Sequence, residues 1–301
     1  MNKWLTALIV LIVIYLLGSI AAFFLFGEND GAFTNKIMIV PISGTIVSTD
    51  SGDDFFGSGV VSSKTLVDDI KELDRDDSVK GIIFEIDSPG GTAVASKEIA
   101  DAIKNLTKPN YALIREVGAS GAYWVASASD KIIASPISIT GSIGVIAGYL
   151  EFSGLFEKYG VNYERLVSGK YKDVGTPYRE LTDDERDLLQ RKIDMIHEYF
   201  IQEVASNRDM DVNYVRNLST GEFFLGEEAL ELGLIDKLGN RDTAIELMKN
   251  ELNVTEIDVV ERKYERSLID VLLGDVSYNF GRGFAKTLAD YDTSNRLEVR
   301  V

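Results

Sequence analysis

The sequence predicts an α/β fold built from βαβ units around a largely parallel sheet. Two observations predict it: apolar strand-like runs alternate with helical periodicities, and each of the main runs ends in a Gly-rich turn. The composition agrees. The chain has 301 residues, 45% of them hydrophobic, with only 5 prolines, which is enough for one large or two ordinary domains with a sizeable core.

The elements follow in order. Residues 27–35 read as a polar tether, and 37–40 as the first strand. Ser62 or Ser63 can cap a helix running to Leu73, whose apolar residues Leu66, Val67, Ile70 and Leu73 have helical spacing. Residues 79–86 form a mostly apolar strand, as expected where both faces of a sheet are covered. The turn Asp87-Ser88-Pro89-Gly90-Gly91 then leads into a helix over 95–105. The pattern repeats with a strand over 111–117, the turn Gly118-Ala119-Ser120-Gly121 and a short helix over 122–129. A third strand spans 131–134 and is followed by Thr140-Gly141-Ser142-Ile143-Gly144. Thr182-Asp183-Asp184-Glu185 fits a capping box opening a helix to about Asn207, with Leu188, Leu189, Ile193, Ile196, Phe200 and Val204 as its apolar set. Beyond it come a short helix stopped by Gly233, a helix over 240–250 and a strand over 256–260. Residues 268–273 could form a short amphipathic helix, and the polar tail from Asp290 is expected to be mobile.

The N-terminus is a different material. Residues 5–26 carry no charge and as a helix would span about 33 Å, against a hydrocarbon core of roughly 30 Å. This run is longer than the 7–15 residues usual in the apolar region of a cleaved signal peptide, so it reads as a membrane span. Lys3 precedes the span, while Glu28 and Asp30 follow it. This charge pattern places the N-terminus in the cytoplasm and the rest of the chain on the other side. The domain division expected is therefore an anchor and tether over 1–30, a catalytic domain over 31–262 and a C-terminal extension over 263–301.

A net charge of −17 argues against a nucleic-acid partner, because phosphate neutralisation needs clustered Lys and Arg. The absence of cysteine excludes a thiol nucleophile and Cys-ligated zinc, and a single histidine cannot build a His-Glu-x-x-His site. No cofactor is expected. In this inventory Ser120, on a Gly-rich turn between a strand and a helix, is the candidate nucleophile. His197 sits beside the apolar stripe of its helix, as a packed or partly exposed side chain, so a lysine is the leading candidate base. A free lysine is deprotonated only about one time in several thousand at neutral pH, so burial or a neighbouring cation must favour the neutral amine. The backbone N–H groups of Gly91 and Gly121 are candidates for an oxyanion hole, since glycine permits close backbone approach and positive φ.

The ordered motifs Asp87-Ser88-Pro89-Gly90-Gly91, Ala119-Ser120-Gly121-Ala122-Tyr123, Thr140-Gly141-Ser142-Ile143-Gly144 and Ser168-Gly169-Lys170-Tyr171-Lys172-Asp173 resemble those of the signal peptide peptidase A family. Gly226-x-x-Ala229-Leu230-x-x-Gly233-Leu234-Ile235-Asp236 extends the likeness, which covers about residues 37–239. The resemblance implies a ClpP/crotonase-like fold. It also implies a membrane-anchored serine endopeptidase that degrades remnant signal peptides and other extended apolar peptides. By position it makes Ser120 the nucleophile, Lys172 the general base, Ser142 the hydroxyl that orients the lysine amine, and Gly91 with Gly121 the oxyanion hole. Lys170 is the alternative base, because on an extended strand it could share a face with Lys172. With one such unit the sequence resembles the family's short form, for which the resemblance implies a homo-oligomeric ring whose sites take serine and lysine from neighbouring protomers. Two local departures stand out: Gly121-Ala122 replaces the more usual Gly-Gly, and Lys170 places a second cation beside the base. A stomatin-associated type of membrane serine protease, a crotonase-like acyl-coenzyme A enzyme and a catalytically silent scaffold are the alternatives. The intact Ser120 and Lys172 count against the scaffold.

Overall fold

The computed structural model describes residues 35–48 and 59–262, together with Ile12, Val13, Tyr15 and Gly18, which are helical. The expected membrane span lies outside the described residues apart from those four positions, and the C-terminal helix and tail lie wholly outside them. Among the described residues no helix is long and apolar enough to cross a membrane.

The main sheet runs in the order β10 (Asp258–Glu261), β1 (Lys36–Ser43), β4 (Val79–Ser88), β5 (Asn110–Ala119), β6 (Lys131–Ala134) and β9 (Lys237–Leu238), all parallel. β7 (Ile139–Gly141) extends β5 in parallel, and β8 (Phe223–Leu225) pairs antiparallel with β7. A separate pair, β2 (Thr45–Val47) with β3 (Val60–Ser62), lies beside the turn after β4 through a bridge between Ile46 and Gly91. The α/β class, the parallel sheet and the principal βαβ units are thus as the sequence predicts.

Side chains of successive strand residues point to opposite faces, so each strand feeds two cores. On one face Val40, Ile42, Ile82, Phe84, Ile86, Ala112 and Ile114 pack under helices α1 (Ser63–Arg75), α2 (Ala93–Lys104) and α3 (Gly121–Ser127). On the other, Ile37, Ile39, Ile83, Leu113 and Ile133 pack against Ala244 and Met248 of α8 (Arg241–Leu252). Two-sided burial explains the nearly unbroken apolar sequence of β4.

Helix α3 follows the candidate nucleophile, and all seven of its residues are buried. Its Tyr123 hydroxyl donates to the Leu234 carbonyl at 2.8 Å. Its Trp124 ring stacks on Phe200 of the long helix α5 (Asp183–Asn207), with centroids 4.6 Å apart and planes at 10°. The capping box predicted at Thr182 is present, with the Thr182 side chain accepting from Glu185 N–H and the Glu185 carboxylate accepting from Thr182 N–H. The apolar set expected on α5 is only partly used. Phe200 and Val204 are buried, but Leu188, Leu189 and Ile193 are half-buried and Ile196 is 40% exposed. Three short helices complete the fold: α4 (Ser153–Lys158), α6 (Val212–Leu218) and α7 (Gly226–Glu231). Only the last is legible in the sequence, through its stop at Gly233.

Candidate active site

Three turns converge at the carboxyl ends of the parallel strands, the place where α/β sheets hold ligands. The first is Pro89-Gly90-Gly91 after β4. Ser88, itself fully buried, fixes it by donating its hydroxyl to the Gly44 carbonyl at 2.6 Å and accepting from Gly90 N–H at 3.1 Å. Gly90 has φ +100°, and a Cβ placed there would fall 2.7 Å from the Gly121 nitrogen, so only glycine lets the two turns touch. At Gly91 a Cβ would fall 1.9 Å from the Ile46 carbonyl oxygen, and at Gly121 one would fall 2.2 Å from Ser96 Oγ and 3.2 Å from the Gly91 nitrogen. The N–H groups of Gly91 and Gly121 thus lie close together, and among the described residues neither donates to a backbone partner.

The second turn carries Ser120, with φ +53° and ψ −126°. That conformation is rare for any residue with a Cβ, and holding one there costs about 1–3 kcal/mol. The surroundings impose it. Ser120 N–H donates to the Gly141 carbonyl at 2.8 Å, and its own carbonyl accepts from Trp124 N–H at 3.0 Å, within the buried helix α3. The side chain is half-buried, and among the described residues its hydroxyl makes no hydrogen bond. Replacing Ser120 by glycine should relieve the strain while raising the entropy of the unfolded chain by about 0.4–1 kcal/mol. Ser120→Gly is therefore expected to melt above Ser120→Ala by a margin equivalent to about 1 kcal/mol, measured by thermal unfolding. Equal melting would mean that the turn is unstrained.

The third turn holds Ser142, also at positive φ (+51°). Its N–H donates to the Glu222 carbonyl at 2.9 Å and its hydroxyl to the Gly221 carbonyl at 3.2 Å. The pairing of β5 with β7 sets Ala119 against Gly141, so Ser120 and Ser142 are brought to one end of the sheet by register.

Lys172 is placed differently. It lies on an arm, residues 145–180, that folds largely on itself. Phe152 N–H donates to the Pro177 carbonyl at 2.8 Å, and Tyr178 stacks on Phe156 with centroids 5.8 Å apart. The Lys172 side chain is exposed, and among the described residues no hydrogen bond joins its amine to Ser120 or Ser142. Lys170, by contrast, is ion-paired with Asp184 at 2.6 Å, and that carboxylate, with help from the Tyr171 side chain, holds its amine above the usual lysine range. The pair neutralises the second cation that the sequence sets beside Lys172. It also leaves Lys170 poorly suited to accept a proton. His197 is half-buried on α5, with its Nε2 buried and without a partner among the described residues.

Around Lys172 lies a charge network that sequence spacing did not reveal. Arg165 grips both oxygens of Asp173 at 2.6 and 2.7 Å, and Arg179 reaches the same carboxylate at 3.1 and 3.2 Å. Arg179 also holds Glu185 bidentately at 2.7 and 2.8 Å. The Asp173 carboxyl is held well below the carboxylate range by Arg165 and then Arg179. Glu185 is lowered to about 2, first by Arg179 and next by the Thr182 N–H. A depressed carboxyl contributes stability that is complete above its ordinary value of 4.5 and lost as pH falls through about 2. Amide protection over 165–185 should accordingly decline across that window, and Glu185→Gln should flatten the decline.

A strained serine at the head of a buried helix, its hydroxyl and the neighbouring N–H groups of Gly91 and Gly121 unengaged among the described residues, is an arrangement that serine hydrolases use. Known proteins agree. The family model "Peptidase family S49" matches residues 102–255. A candidate protease of Methanocaldococcus jannaschii is 32% identical over 91% of this chain and 90% of its own length. The serine protease SPPA of Arabidopsis thaliana chloroplasts is 32% identical over 80% of this chain but only 36% of its own. Among solved structures, a membrane-bound stomatin-specific protease aligns with a TM-score of 0.51 and 18% identity, covering 77% of this chain and 99% of its own, which speaks to the fold alone. The chain belongs to peptidase family S49 and is a serine-type peptidase.

Proposed function

We propose that this protein is a membrane-anchored endopeptidase that uses a Ser120–Lys172 dyad to cut extended apolar peptides, remnant signal peptides among them. The geometry of Ser120 carries the reading: a costly backbone conformation presents a hydroxyl without a hydrogen bond among the described residues, next to the Gly91 and Gly121 N–H pair. Ser120 Oγ attacks the scissile carbonyl while Lys172 takes its proton. The two N–H groups stabilise the oxyanion, Ser142 orients the lysine amine, and that amine then protonates the leaving nitrogen. Water, deprotonated by the same lysine, releases the acyl group.

The arm supports a site shared between protomers. Ile146 is 99% exposed, Leu166 88%, Leu150 74% and Tyr159 71%, an apolar surface that a second copy of the chain would cover. A ring of such copies would bring each Lys172 to a neighbour's Ser120. For the substrate class, a relative from Enterococcus faecium, 35% identical over 78% of this chain and 69% of its own length, carries the name of a signal peptide peptidase. The apolar run 5–26, helical at its four described positions, supports the anchor, and the flanking charges support a catalytic domain on the extracytoplasmic side. The division into 1–30, 31–262 and 263–301 belongs to the same proposal.

The test is hydrolysis of an apolar peptide by the detergent-solubilised full chain without added coenzyme A, alongside its mass in solution. Cleavage by an oligomer is expected. An active monomer would overturn the shared site, and no cleavage by an intact oligomer would overturn the substrate class.

A further inference from the structure

The residues on either side of Lys172 are tied to consecutive acidic residues in the first turn of α5, while Lys172 itself has no hydrogen-bond or ion-pair partner for its side chain among the described residues. Lys170, two positions before, pairs with Asp184. Asp173, one position after, is tied through Arg179 to Glu185. The two ties differ in strength. The Lys170 and Asp184 side chains are 64% and 67% exposed, so their pair is solvated, screened and worth little. The Arg179, Asp173 and Glu185 side chains are 20%, 12% and 5% exposed, and both contacts are two-pronged, a geometry that fixes orientation as well as distance.

Helix α5 also stacks, through Phe200, on Trp124 of α3, the helix that follows Ser120. One chain of contacts therefore runs from the serine turn along α5 to Glu185, through Arg179 to Asp173, and ends beside the candidate base. In a protomer whose lysine serves a neighbouring serine, this chain sets where the arm presents its amine relative to the body of its own subunit.

From this juxtaposition we propose that Arg179 is a positioning residue for Lys172, acting through Asp173 and Glu185 and touching neither substrate nor the reacting atoms. The proposal rests on the reading of Lys172 as the general base. A misplacement of about 1 Å at a reacting group can cost roughly a hundredfold in rate, so a lost clamp is read in kcat.

The experiment compares Arg179→Met, Arg179→Lys and Glu185→Gln in the full chain, with kcat and KM on an apolar peptide and the mass of the assembly as readouts. Arg179→Met is expected to lower kcat by about tenfold or more, with KM within about threefold and assembly unchanged. Arg179→Lys keeps the charge but not the fork and should recover part of the loss, and Glu185→Gln should fall between them. In a Lys172→Ala background, Arg179→Met should leave the residual rate of fluorophosphonate reaction unchanged, because the group it positions is already gone. Should Arg179→Met disrupt assembly, the two milder variants decide the matter. Wild-type kcat in both of them, or a further loss in the Lys172→Ala background, overturns the positioning role. A fully active Lys172→Ala would instead overturn the base assignment, and the proposal with it.

Discussion

Ser120→Ala is expected to abolish peptide hydrolysis, by at least about 10⁴-fold in kcat, while leaving folding and assembly intact. The substitution removes one hydroxyl that makes no hydrogen bond among the described residues and keeps the Cβ, so no core contact is lost and the turn stays as strained as before. The residual rate should come from the Gly91 and Gly121 N–H groups and from substrate binding. The comparison with Ser120→Gly separates chemistry from strain: both variants should be inactive, but only the glycine variant should gain stability. Activity near the wild-type level in Ser120→Ala would remove the serine from the mechanism.

Lys172→Ala should be comparably inactive, whereas Lys170→Ala should lose only part of the activity and His197→Gln hardly any. Lys170 is paired with Asp184, so its loss loosens an exposed contact without removing a free amine. His197 lies on α5, beside the stripe that packs on Trp124 rather than at the carboxyl ends of the strands. If each site is shared, co-expressed Ser120→Ala and Lys172→Ala chains should form mixed rings that regain activity, because some junctions then join an intact serine to an intact lysine. Verified mixed rings that stay inactive would place the dyad within one chain.

Much of the fold was legible because a parallel sheet covered on both faces writes itself as apolar runs. β4 and β5 read clearly, and the Gly-rich turns at their ends located Gly91, Ser120 and Gly121. Strands of two or three residues, such as β2, β8 and β9, left no periodic signal. The short helices α4 and α6 were missed for the same reason. On α5 the apolar periodicity was real, but full burial of its apolar residues is confined to its C-terminal half, where Phe200 and Val204 meet the core. The arm was least legible. Its order comes from Arg165, Asp173, Arg179 and Glu185, a network with no spacing rule of its own, although the capping box had already singled out Glu185 for a local reason.

The most direct test of the central claim is the site of modification by a fluorophosphonate, located by mass spectrometry of the full-length protein. A single adduct on Ser120, formed far more slowly in Lys172→Ala than in Lys170→Ala, is the result expected. A stoichiometric adduct on a different serine, with Ser120 unmodified and peptide hydrolysis blocked, would contradict it.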